Sequence, residues 1–324
     1  MRKRAKHLIN STIVLALCMG SMIAQATVEG SFHRTLNVNG PVDIDITTGS
    51  GNITVKTGNS SVVEVTGHIR ASGWFDGGEA RVRRLETSPP IQQSGNSIRI
   101  GHIQEFDLRR NISISYELTV PPTTSLNSHS GSGTQVIDGV QGAVDVNAGS
   151  GDVRISNIGN TVRAETGSGD MRLENVKGNL RAKAGSGSIR AISIAGGVEG
   201  ETGSGHIELE QSAPGAVRVS TGSGGIEARG VRGSLEASAG SGEISAEGDP
   251  RGGWSVHTGS GSVRLRLAND AAFDLNARTS SGSISLNRPV TVQGNIGRKE
   301  VRGKVRGGGP QVEVQTSSGN IEIL

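Results

Sequence analysis

The triplet Gly-Ser-Gly returns at 131–133, 149–151, 167–169, 185–187, 203–205, 222–224, 240–242 and 259–261. The steps are 18 or 19 residues, and a Ser-Ser-Gly follows at 280–282 and again at 317–319. An isolated Gly-Ser-Gly lies at 49–51. This register constrains the fold more than any other feature of the chain. A unit of that size cannot bury an apolar face alone, but stacked copies bury one continuously.

Each unit repeats one pattern. In 152–169, Val153 and Ile155 alternate with polar residues, as do Val162, Ala164 and Thr166, and Ile158 stands alone between the two runs. In 170–187 the same six places hold Met171, Leu173, Val176, Leu180, Ala182 and Ala184. Period two means half-buried strands rather than helices. The unit is therefore strand, short turn, strand, Gly-Ser-Gly turn, with glycine where the chain reverses sharply. Each strand pairs in parallel with its counterpart one coil later, about 4.8 Å away. The expected fold is all-β: a single-chain parallel β-helix or β-solenoid of about 18 residues per coil. Right-handed coiling follows by analogy with parallel crossovers.

The ends depart from the period. Residues 1–26 read as a signal peptide: Arg2, Lys3, Arg4 and Lys6, an apolar stretch, then Ala24-Gln25-Ala26. That stretch is short and interrupted for a membrane span, and Leu17 before Cys18 fits a lipid-attachment site poorly. Residues 27–130 read as an N-terminal β-rich capping region with one short helix around Val82 and Leu85, ended by Pro89-Pro90. Trp74, Phe75, Phe106 and Tyr116 gather there, as a denser cap core or an aromatic platform for a ligand. Residues 131–324 form the repetitive solenoid, with an excursion loop at about 291–309 before the last coil. The C-terminal strand (Ile321, Ile323) is expected at an exposed edge, open to edge-to-edge self-association.

Removing residues 1–26 takes away four of the 33 basic residues, none of the 30 acidic ones and the single cysteine. The remaining charge of −1 argues against nucleic acid as a partner. No thiol, internal disulfide or transmembrane span remains in this reading, so backbone pairing and packing hold the exported chain together. Its place is the periplasm, the cell surface or outside the cell.

The phrase T/A-G-S-G-x-I/V resembles the DUF4097 family, whose members carry the label adhesin. Three longer stretches strengthen the likeness: ISYELTVPP at 114–122, FDLNARTSSGSISL at 273–286 and GKVRGGGPQVEVQTSSGNIEI at 303–323. The resemblance implies a β-solenoid protein of the envelope or surface. It supplies no catalytic residue.

The residues supply none either. Calcium solenoids need oxygen ligands at every glycine turn, yet Asp follows Gly-Ser-Gly only at Asp152 and Asp170. The histidines His33, His68, His102, His129, His206 and His257 form no metal-binding spacing. The turn serines have no partnered base. No cofactor or metal is therefore expected. Outward positions give Arg154, Arg172 and Arg190 in three successive coils, a candidate ladder for anionic ligands. On the other strand Glu165, Lys183 and Glu201 alternate in sign, which supports stacking. The serines of the turns form a further column, but the neighbouring one mixes Thr166 and Thr202 with Ala148, Ala184 and Ala239, too irregular for a flat hydroxyl array. The leading function is a non-enzymatic adhesin or envelope-binding protein that contacts polysaccharide or envelope components. The alternative is a carbohydrate-active enzyme, lyase-like or hydrolase-like, with a groove along the solenoid.

Overall fold

The computed structural model describes residues 27–58, 61–72, 77–287, 289, 291–292 and 297–324. The expected signal peptide, Trp74 and Phe75 lie outside the described residues, as does part of the excursion at 291–309.

One repeat shows how the chain coils. Val162–Ser168 runs into a Gly-Ser-Gly turn, Met171–Val176 runs out of it, and Leu180–Ser186 begins the next coil. We call the strands that enter the turn the leading sheet and those that leave it the trailing sheet. Leading strands pair in parallel with their counterparts one coil away: Val162 opposes Leu180, and Ser168 opposes Ser186. Trailing strands do the same, with Met171 opposite Ile189. The described strands form two sheets, of fourteen and fifteen strands. The chain is thus a parallel β-solenoid, as the period predicts.

Its interior is a set of aliphatic columns. Val144, Val162, Leu180, Val198, Val217 and Leu235 stack in the leading sheet, and Val153, Met171, Ile189, Ile207, Ile226 and Ile244 stack in the trailing sheet, all buried. Trp254 takes the same column one coil later, with its indole N–H donating to the Gly233 carbonyl at 3.0 Å. Two columns tie the turns together. The threonines before the turn point inward, and Thr166, Thr202 and Thr258 donate to turn carbonyls of Gly151, Gly187 and Gly242. The residue after the turn accepts the backbone N–H one coil later: Asp152 from Asp170, Asp170 from Ser188, and His206 (Nδ1) from Gly225. Short acceptors of several types satisfy the same need. The last turn glycine cannot change: Gly187 sits at φ +146°, and a Cβ there would strike the Gly169 carbonyl of the coil below.

The end of the trailing strand carries a feature missed in the sequence. Asn157 and Asn175 are left-handed, at φ 58° and 56°. Asn is among the few side chains that tolerate this conformation. The Asn175 amide donates to the Asn157 side-chain oxygen at 3.1 Å, extending a second ladder across coils.

The ends stack out of sequence order. The first coil, Val42–Ser50 with Ile53–Thr57, lies directly on Thr124–Ser132 and Gln135–Asp138. The isolated triplet at 49–51 therefore belongs to the stack. The intervening chain makes the cap, including two helices: α1 (Gly78–Thr87) at the expected place and a four-residue α2 (Phe106–Arg109) that was not foreseen. Helix α1 covers the outermost strand of the trailing sheet, Thr27–Asn37. Val82 and Leu85 are buried there, and the Glu86 carboxylate accepts the Ser31 N–H at 2.9 Å. The contact takes up one N–H of this outermost strand.

The C-terminal strand is not an edge, contrary to expectation. Ile321–Ile323 pairs with Val263–Leu267 on one side and with Ile284–Leu286 on the other. Gln311–Ser318 likewise lies between Trp254–Ser260 and Phe273–Ser281. The last coil in sequence is thus the second-last in space. Part of the excursion, Glu300–Val305, closes the outer side of Phe273–Ser281 as an antiparallel strand. Only the three-residue strand Ile284–Leu286 ends the trailing sheet there. Pairing on both sides wins because each buried backbone group needs a partner.

Candidate binding groove

The outward face of the leading sheet is built from one residue per strand, next to the first buried apolar one. Register sets Asp45, Asn127, Asp145, Arg163, Arg181 and Glu199 side by side. Arg218, Glu236 and Ser255 continue the column. Residues of the corner before these strands, among them the small Gly197, Ala216 and Gly253, form the facing wall of the lining. Between column and wall runs an open groove of about 1320 Å³. Nine rungs from Asp45 to Ser255, at the parallel-strand spacing, make it about 38 Å long.

Ion pairs bridge rungs within the groove. Arg181 meets Glu199 at 3.0 Å, and Arg218 meets Glu236 at 2.8 Å. Arg163 turns along its own strand to Glu165, also at 2.8 Å, and Asp45 faces His102 at 3.3 Å. These pairs are half-exposed, so each adds little stability. What they fix is direction: guanidinium and carboxylate planes are held against the sheet.

The predicted arginine ladder is in register: Arg154 opposes Arg172, and Arg172 opposes Arg190. Each of the three has an acidic neighbour. Arg154 meets Asp152 at 3.1 Å, Arg172 meets Glu174 at 4.0 Å, and Arg190 pairs with Glu208. The column Glu165, Lys183, Glu201 is also in register. The Lys183 ammonium, 2.6 Å from Glu201, holds that carboxyl below the usual carboxylate range through a hydrogen bond and its charge. The turn serines form an exposed column, Ser150 opposite Ser168 and Ser168 opposite Ser186. In the cap, Phe32 and Tyr116 pack edge to face at 6.4 Å, and burial pushes the Tyr116 phenol up. Phe106 is exposed and takes no part in that core.

Sequence reading found the ladder but missed the groove. The signal was present, since Asp145, Arg163, Arg181, Glu199, Arg218 and Glu236 recur at the same period. The corner residues Pro214, Gly215 and Ala216, which line the groove beside that column, have no periodic signature.

The chain matches the family described as Toastrack DUF4097 over residues 43–324. It belongs to the DUF4097 family. That match begins within the first coil, runs through the cap helices, the stack and the inserted last coil, and leaves Thr27–Asn37 outside it. No curated protein matches the chain. Among solved structures, one described as "a putative cell adhesion protein" from Clostridium sporogenes ATCC 15579 is similar at 12% identity. It covers 91% of this chain and 99% of its own, with a TM-score of 0.24. Among the described residues, no helix of this DUF4097 chain is long and apolar enough to cross a membrane, and no cluster of His, Cys, Asp or Glu could hold a metal ion.

Proposed function

We propose that this chain is an exported, non-enzymatic solenoid of the cell surface or envelope, an adhesin-like module that holds polysaccharide through many weak contacts. The observation that carries this reading is the register itself. The stack repeats each outward side-chain position about every 4.8 Å along an extended face, which suits a polymer engaged at several points at once. DUF4097 membership supports it.

A glycan array probed with residues 27–324 tests the reading. Binding should strengthen with oligomer length, without new reducing ends. Release of product would favour the enzyme alternative, and failure to retain any glycan would remove the proposal. The in-register arginines favour one face for acidic polymers. Arg154→Ser, Arg172→Ser and Arg190→Ser together should abolish retention on acidic polysaccharide, and unchanged retention would discard that face.

A further inference from the structure

We propose that the groove of the leading sheet is a glycan site separate from the arginine face and that the ligand it takes is an uncharged, extended polysaccharide. This rests on the glycan-binding reading above and deepens it.

Charge decides the ligand class. The groove is lined by five carboxylates (the column's acids and Asp43) and four guanidiniums (the column's arginines and Arg99). Both signs are interspersed along the trough: Asp45 and Asp145 at the cap end, then Arg163 and Arg181, then Glu199, Arg218 and Glu236. A polyanion long enough to span several rungs would meet Asp145, Glu199 or Glu236 beside the arginines, and a polycation would meet the reverse. Near-neutral faces of this kind offer little long-range steering to either. An uncharged chain meets no such penalty.

The lining groups also match hydroxyls. A carboxylate offers two acceptor oxygens, a guanidinium offers a fork of N–H donors, and an amide such as Asn127 or Asn179 offers both. Neighbouring hydroxyls on a sugar ring each donate and accept, so they fit any of these forks. The Nε–H of Arg181, at the middle of the trough, is buried and meets no acceptor among the described residues. No aromatic ring lines the groove, so hydrogen bonds rather than ring stacking carry the contact. Small Gly197, Ala216 and Gly253 leave room for a ring beside Glu199, Arg218 and Ser255.

The test uses residues 27–324 and two sets of soluble polymers in affinity electrophoresis at low and high salt. Hydroxyethyl cellulose, dextran and mannan are uncharged, while carboxymethyl cellulose and alginate are anionic. Retention by at least one uncharged polymer, little changed by salt, is expected. Ala216→Trp, which fills the trough from its exposed wall, should weaken retention roughly tenfold, the loss of one or two hydrogen bonds. Arg218→Ala with Glu236→Ala, which removes an exposed pair, should do the same while leaving the thermal melt in place. Salt-sensitive retention by anionic polymers alone would overturn the groove and its ligand but leave the glycan reading. Uncharged polymer held equally by wild type and both variants would overturn the groove assignment. Retention of no polymer in either set would overturn both.

Discussion

The middle of the stack and its two ends obey different rules. From about residue 142 to 267 the neighbour in sequence is the neighbour in space, and each coil repeats the contacts of the last. At the N-terminal end the first coil is separated from the second by the whole cap. At the C-terminal end the final coil lies inside its predecessor. The middle is decided by local repetition, whereas the ends are decided by the need to leave no long strand edge unpaired.

The strongest way to break this comparison is by deletion. Removing one whole middle coil, residues 170–187, should leave a folded protein one rung shorter, because the new neighbours have the same register. Removing 311–324 should instead give aggregation or loss of cooperative melting, because two pairs of strands lose their partners at once. Circular dichroism and light scattering read both outcomes. Equal tolerance of the two deletions would mean that the ends are as modular as the middle.

Point substitutions give a smaller contrast. Leu173→Ala, in a fully buried column, should cost about 2–5 kcal/mol. Ile284→Ala, half-buried on the terminal strand, should cost under about 1.5 kcal/mol. Denaturant unfolding that ranks them in the opposite order would show that the last coil is not the looser one.

Tyr116 is the single tyrosine and reports on the cap alone. Its folded phenol titrates well above the usual value because burial disfavours the anion. Above about pH 10 the unfolded chain releases that proton while the folded chain keeps it. Stability is therefore full below pH 10 and falls by up to about 1.4 kcal/mol per pH unit above it. Phenolate absorbance should appear only as the cap opens, later than in a denatured control. Absorbance rising near pH 10 in the native protein would contradict the buried placement.

The smallest expected effect lies in the middle. Glu201 has a depressed carboxyl through Lys183, so its contribution is present above the unfolded carboxylate range and is lost as pH falls through its folded value. The pair is exposed, so Lys183→Met should change stability by less than about 1 kcal/mol at neutral pH and flatten the acid limb of the melting profile slightly. A larger loss would give that ladder a structural weight its exposure does not suggest.

The middle was legible because its physics is written at a fixed spacing. Val153, Met171 and Ile189 announce one column, and Gly187 marks a reversal only glycine can make. The ends were legible in composition but not in pairing. Ile321 and Ile323 look the same whether a strand is bordered on one side or two, and nothing local tells residues 311–323 to pass inside 273–286. The arginine ladder could be read because it lies on regular strands. The groove could not, because its wall includes corner residues with no periodic signature. Asn157 and Asn175 were readable as turn formers and were overlooked among the glycines.

The inserted last coil also sets an order of events. Strands Phe273–Ser281 and Ile284–Leu286 find their inner partners only in residues made 37 positions later. A chain emerging from its N-terminus can therefore lay down coil after coil as it appears, up to Leu267, and must then pause with one coil undocked. The closing segment acts as a clasp, so a chain halted before residue 311 would present an unfinished terminus to any protease nearby.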